Sequence, residues 1–360
     1  MKLDYLERTL KFRFEAGTSR GVLNEHKVCI LKISDGDLTK YGLGEAAPLE
    51  NLSVEKLEDV LEYLPTLADG LKLQKTPISE YEVYSLAAQL VPEELPSLRF
   101  GVECALLDLM NGGERALFEN SFLSGGRDIP INGLIWMGDE EFMKTQIDEK
   151  LRSGYKCIKM KIGAIDFDTE LKLLKYLRSK SETLTIRVDA NGGFATHEVF
   201  SKLAQLAQYN IHSIEQPIMP SQHEAMQLIS LRSEVPVALD EELIGIYDGA
   251  QKRALLRLIR PKYIVLKPTL LGGLRHTQEW ISIAKEYGIG WWLTSALESS
   301  VGLNAISQLA GQFPESGYQG LGTGQLYENN IQSPLEVNGQ FLSYNGKREW
   351  ERLLFQDVEE

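Results

Sequence analysis

Cysteine is scarce in this chain. Cys29, Cys104 and Cys157 are three in number and form no CxxC spacing. An odd, scattered set argues against a disulfide framework and against a cysteine-based zinc site. Small buried hydrophobes in a reducing compartment are what such cysteines are expected to be. Positive charge is also short: 38 Lys and Arg against 51 Asp and Glu leave a formal net charge of −13. Nucleic-acid and membrane-surface binders carry a basic face, so neither partner is expected. No apolar run approaches the roughly 18–20 residues that span a bilayer. The opening "MKLDYLERTLKFRF" alternates like a strand and has no signal-peptide apolar core, so a cytoplasmic location is expected. The five histidines, His26, His197, His212, His223 and His276, show no ligand spacing. "GLGTG" at 320–324 lacks the spacing and the following helix of a dinucleotide loop and reads as a turn.

What is present is an ordinary soluble composition, 43% apolar and 25% charged over 360 residues, enough for two domains or one large barrel. The first third reads as α+β. Strands are expected over 3–16 and 26–34, with a Gly/Ser-rich loop over 17–26, and helices over 53–68, 79–91 and 97–113. From residue 129 short apolar runs alternate with amphipathic helices. The strands fall at 129–136, 156–163, 184–191, 212–218, 235–241, 262–269, 288–296 and 318–324. Between them Met143, Ile147 and Leu151 recur every four residues, and Phe200, Leu203, Ala204 and Ala207 fit one helix face. Alternation of this kind implies parallel βαβ units, and eight strands suggest a closed barrel, with an open doubly wound sheet as the alternative. The segment 325–360 has no further βα unit. Its "LEVNGQFLSY" reads as a hairpin, and the tail is expected to return to the N-terminal region.

One barrel strand poses a chemical question. "CIKMKIG" (157–163) places Lys159 and Lys161 on one face of a strand that otherwise reads as buried. A barrel's active site lies at the C-terminal ends of its strands. Strands two to six end with Lys161, Asp189, Glu215, Asp240 and Lys267, separated by 28, 26, 25 and 27 residues. Each motif alone has an ordinary reading: an exposed edge lysine, a turn, a helix start. Solvated charges have no reason to keep one βα period, and a barrel would bring all five to one mouth. Three carboxylates from adjacent strands repel one another unless a cation lies between them. Hard oxygen donors without cysteine or histidine suit Mg²⁺. Lys161 and Lys267 flank the trio and are expected to face each other. A lysine acts as a base only when neutral; burial and Lys159 push its pKa down while the carboxylates push it up. Arg187 shares strand parity with Asp189 and is expected to point inward, either to a substrate carboxylate or to shield the acidic cluster. Ser295 could donate to a substrate oxygen. Glu298 reads as charge at a helix N-terminus, and Trp291 and Trp292 as core aromatics.

"KMK", "VDAN", "IEQP", "ALDEE" and "LKP" together resemble the muconate-lactonizing-enzyme subgroup of the enolase superfamily. The resemblance covers nearly the whole chain. It implies an α/β fold, a (β/α)7β TIM-like barrel with an N-terminal α+β capping domain completed by the C-terminal tail. The expected boundaries are 1–125, 126–324 and 325–360. It implies Lys161 as general base, Lys267 as the opposed catalytic lysine, and Asp189, Glu215 and Asp240 as ligands of Mg²⁺, with Mn²⁺ as a substitute. Lys159, Asn191, Arg187 and Ser295 are implied substrate contacts, as are Ser19 and Arg20 in the loop that shapes specificity in this superfamily. The substrate class is a small carboxylate, and a homo-oligomer is left open. Within the subgroup, "TSALESSVGLNAISQLA" (294–310) and "PINGLIWMG" (130–138) are most similar to the o-succinylbenzoate synthases of menaquinone synthesis, which are lyases. Thr294, Ser295 and Ala296 stand where dipeptide epimerases carry Asp-x-Asp. N-acylamino acid racemases keep both lysines and remain the alternative. A barrel retired from catalysis would be expected to lack one of the five charged residues, and all are present.

Overall fold

A computed structural model describes residues 1–18 and 21–358. Two long strands, β1 (Lys2–Thr18) and β2 (Gly21–Ser34), form a hairpin that β3 (Tyr41–Ala46) extends. Helices α1 (Leu57–Lys72) and α3 (Pro96–Met110) pack on this sheet, and α2 (Glu80–Leu90) packs against α3 and α1. The expected loop over 17–26 is a correction. Pairing continues through Gly17↔Val22 and Thr18↔Gly21, because hairpin ladder bonds override the weak strand preference of Gly and Ser. A register shift between Lys11 and Ala16 absorbs the irregularity. Gly42 and Gly44 let α3 lie directly on β3. A Cβ on Gly44 would sit 1.8 Å from the Gly101 carbonyl oxygen.

After β4 (Ile129–Pro130) the chain makes seven parallel strands: β5 (Gly133–Ile135), β6 (Cys157–Lys161), β7 (Thr185–Asp189), β8 (Ser213–Glu215), β9 (Val237–Leu239), β10 (Tyr263–Leu266) and β11 (Gly290–Leu293). The intervening helices are α4 (Glu140–Arg152), α5 (Phe167–Lys180), α6 (Val199–Ala207), α7 (His223–Arg232), α8 (Gly249–Ile259) and α9 (Leu274–Glu286). An eighth strand closes the ring with single bridges, Thr294↔Gly320 on one side and Ile131↔Gln319 on the other. The alternation is legible in β6: Ile158 and Met160 join the apolar layer with Met143, Ile147 and Leu174, while Lys159 and Lys161 take the opposite face. Ala238, Val265 and Trp292, with Tyr263 against them, form a separate apolar cluster.

Helix α10 (Ser300–Gly311) follows β11, and the tail then divides. A hairpin of β12 (Leu335–Asn338) and β13 (Phe341–Tyr344) pairs with β4, and β14 (Gln356–Asp357) pairs with β1. Among the described residues no helix is long and apolar enough to cross a membrane.

Two buried glutamates of the N-terminal unit cap barrel helices. Glu45, in β3, accepts from Ser299 N (2.7 Å) and Gly302 N (2.7 Å) at the start of α10. Glu103, in α3, accepts from Leu274 N (2.6 Å) and Arg275 N (3.2 Å) at the start of α9. Free N–H groups and the helix dipole favour an anion there. Burial pushes the Glu45 carboxyl up to about 7 and that of Glu103 to about 8, from an ordinary 4.5. With the folded pKa raised, the stabilisation from these groups is complete below the unfolded value and fades as pH rises through 7 and 8. Thermal unfolding followed by circular dichroism is expected to show Tm falling from about pH 4.5 to about pH 8 and level above it. A Glu45→Gln, Glu103→Gln double variant is expected to flatten that slope. An unchanged slope would place its origin elsewhere.

Candidate active site

The ends of strands two to six converge as the βα period predicts. Lys161, Asp189 and Glu215 are the last residues of β6, β7 and β8, and the pairs Lys161↔Asp189 and Asp189↔Glu215 are in register. Asp240 and Lys267 come one residue after β9 and β10. Gln216 fixes the fourth and fifth exits. At a φ of 38°, its side chain donates to Glu242 Oε2 (3.0 Å) and accepts from Asp240 N (3.2 Å). In an eight-stranded ring, strands two and six are diametrically placed, so Lys161 and Lys267 stand on opposite walls. Both line one cavity of about 480 Å³, with Lys159, Trp136, Thr294 and Ser295.

Except for Lys267, which is partly exposed, these charges are buried. Lys159 Nζ donates to Glu215 Oε1 (2.7 Å) and lies 2.9 Å from Asp189 Oδ2. Lys161 Nζ donates to Asp189 Oδ2 (2.8 Å) and to Asn191 Oδ1 (2.7 Å). Lys267 pairs with Asp240. The three amines differ in what wins. Burial opposes charge on each. For Lys159 the carboxylates of Asp189, Glu215 and Asp240 outweigh it, and for Lys267 those of Asp240, Glu241 and Glu215 do, so both pKa values rise. Lys161 comes out lowered, because burial, with the Lys159 charge added, exceeds the pull of Asp189 and Glu215. Glu215 is pushed well up by burial and then by the charge of Asp189 and, after the opposing pull of Lys159, of Asp240.

The donor set fits a hard divalent cation. Three carboxylates come from adjacent strands, and Glu215 Oε2 is buried without a hydrogen-bond partner. Among the described residues no three His, Cys, Asp or Glu side chains converge as a finished cage. The Lys159 ammonium lies between Asp189 and Glu215, and Asp240 is turned onto Lys267, so lysine charge balances the trio.

The weaker sequence candidates separate. Asn191 is both turn and partner. Its φ is 43°, and its side chain links Lys161 Nζ to Glu241 Oε1 (2.9 Å) instead of lining the cavity. Arg187 points inward, as its strand parity predicts. It does not line the cavity; it stacks on Trp292 (3.8 Å to the ring centroid) and donates to the Tyr318 carbonyl (3.0 Å). Parity fixed its face but not its depth. Ser295 lines the cavity, with its hydroxyl held by Glu298 Oε2 (2.6 Å). Glu298 directly precedes Ser299, the N-cap of α10. It is fully buried and accepts from Thr269, Ser295 and Ala296, tying the exits of strands six and seven together. Trp291 and Trp292 are buried, as are the three free cysteines. Ser19 and Arg20 lie outside the described residues. Sequence reasoning missed Gln216 and Glu241, whose signal is adjacency to metal-type carboxylates in "EQP" and "DEE". It also missed Glu45 and Glu103, which carry no local signal because their partners are 254 and 171 residues away.

Residues 143–346 match the enolase C-terminal domain-like family. An o-succinylbenzoate synthase from Desulfotalea psychrophila is 43% identical over 95% of this chain and 98% of its own length. The chain belongs to the enolase C-terminal domain-like family. The crystal structure of MenC from Desulfotalea psychrophila superposes with a TM-score of 0.84 at 39% identity, covering 95% of this chain and 99% of that one. An N-succinyl-L-Arg/Lys racemase from Bacillus cereus is 23% identical over 73% of this chain and 71% of its own length. Members of this family use a divalent metal, typically Mg²⁺, and are enzymes; the barrel expected from eight βα periods is the fold of its structural neighbours.

Proposed function

We propose that the protein is an o-succinylbenzoate synthase, a Mg²⁺-dependent lyase that dehydrates 2-succinyl-6-hydroxy-2,4-cyclohexadiene-1-carboxylate to o-succinylbenzoate. The observation that carries the reading is the pair of opposed lysines, Lys161 and Lys267, lining one cavity beside the three strand-end carboxylates. The synthase relative at 43% identity supports the substrate. Asp189, Glu215 and Asp240 would hold the cation, whose charge favours a substrate carboxylate gaining electron density from its α-carbon.

The neutral Lys161 amine takes the proton from C1, next to the carboxylate. The electron pair left by the C1–H bond first moves into the carboxylate as an enolate, and then returns to form the C1–C6 double bond as the C6–O bond breaks. The Lys161 ammonium returns its proton to the departing hydroxyl, which leaves as water, and the amine is neutral again. Asn191 and Asp189 aim Lys161 Nζ through their hydrogen bonds. Lys267, held protonated by Asp240, stays a cation beside the developing enolate. Aromatisation makes the elimination downhill, so the protein need only handle the enolate.

The same reading divides the chain at 125 and 324 into cap, barrel and returning tail; pairing of β14 with β1 supports the return. It also implies a small carboxylate as partner and a cytoplasmic setting that keeps the buried cysteines reduced. The test is direct. Purified protein, Mg²⁺ and the cyclohexadiene substrate are followed by ultraviolet absorbance, and turnover is expected. No turnover together with racemisation of N-acylamino acids would replace the lyase by a racemase.

A further inference from the structure

We infer that Lys150 is a substrate-binding residue, and that it takes the terminal carboxylate of the succinyl chain in an arm of the cavity away from the three catalytic-end lysines. The inference rests on the synthase reading, whose substrate carries two carboxylates. One belongs with the carboxylate trio and its cation. The second needs a positive partner elsewhere, since an unpaired anion in a cavity is costly.

The cavity is lined by four lysines and no arginine. Lys159, Lys161 and Lys267 are committed to Asp189, Glu215 and Asp240. Lys150 is the exception. It projects from α4, is half-buried, and among the described residues no carboxylate lies within ion-pair distance of its ammonium. Burial lowers its pKa, with Glu149 opposing, so an anion beside it would relieve a desolvated charge.

The surroundings are built to hold this lysine in place. Its stem runs over Gly133, where a Cβ would come 3.1 Å from both Lys150 Cγ and Cδ and from Tyr155 Cδ1. Its Nζ lies 5.2 Å from the centroid of the Tyr155 ring, which also lines the cavity. One further lining residue has an unspent donor: Thr323 Oγ1 is buried and has no partner among the described residues. A hydroxyl can donate to a carboxylate. An ammonium with no ion-pair partner among the described residues, an unspent hydroxyl and an aromatic wall on the same cavity as Lys161 are what a remote carboxylate would use.

The test pairs a variant with a ligand change. Lys150→Met keeps the stem and removes the charge. With the cyclohexadiene substrate, KM is expected to rise roughly 10- to 100-fold, the range for a lost charge-assisted hydrogen bond, while kcat stays within about threefold. Calorimetry with o-succinylbenzoate and with its primary amide at the succinyl carboxylate supplies the second readout. The parent protein is expected to bind the acid roughly 10-fold or more tighter than the amide. Lys150→Met is expected to bind both alike, and Lys150→Arg to recover part of the preference. An unchanged KM in Lys150→Met, or an acid preference that persists in that variant, would overturn the assignment while leaving the synthase reading intact. Absence of turnover by the parent protein would remove the synthase reading and, with it, the ligand assigned to this arm.

Discussion

Replacing Lys161 by methionine is expected to lower kcat by at least about 10³-fold while the fold survives, because a positioned general base contributes up to about 10⁴-fold. Methionine matches the stem and leaves Asp189 paired with Lys159, so no isolated charge is created. Thermal unfolding should therefore move little, and a collapse in Tm would make the loss uninformative. Exchange of the C1 proton with solvent is the sharper readout: it should vanish with the amine. Lys161→Arg should be equally inactive, since guanidinium does not deprotonate at working pH. Lys267→Ala should also abolish dehydration, for a different reason. Its amine is held charged by Asp240, so what is lost is a cation facing the enolate and not a base. Full activity in Lys267→Ala would make the enolate-stabilising role wrong, and full activity in Lys161→Met would end the base assignment.

Exhaustive chelation is expected to remove activity altogether and Mg²⁺ to restore it. Without a dication, the carboxylates of Asp189, Glu215 and Asp240 are balanced by lysines that the reaction needs for other work. Mg²⁺ should also raise Tm, because a ligand bound only by the folded chain stabilises it by about 2.7 kcal/mol at one hundred times Kd. Asp189→Asn should erase both the restoration and the thermal shift. Undiminished turnover after chelation, measured in metal-free buffer, would remove the cation from the mechanism.

The comparison of sequence with structure turns on range. The period between Lys161, Asp189, Glu215, Asp240 and Lys267 was readable because each βα unit repeats one length and parallel strands stack their ends. Parity put Lys159 and Lys161 on one face because strand side chains alternate. What parity does not carry is height along the barrel axis. Arg187 therefore read either as a substrate contact or as a shield for the acidic cluster, and only the structure shows its guanidinium stacked on Trp292. Glu298 read only as charge at a helix N-terminus, and its hydrogen bonds to the hydroxyls of residues 269 and 295 appear only in the folded chain. Lys150 gave no signal at all: on an amphipathic helix a lysine looks like solvent-facing charge, and only the strand glycine beneath it shows where the stem goes.

By itself the sequence determined the repeat of strand and helix, the five charged strand ends and hence the chemistry available at one mouth, since all of these follow from local periodicity and residue type. Only the tertiary structure decided which amine loses its proton most easily, how the N-terminal unit grips two barrel helices through Glu45 and Glu103, and which side chains reach the cavity. Those outcomes depend on burial and on distances between residues far apart in the chain. Neither quantity exists until the chain has closed on itself.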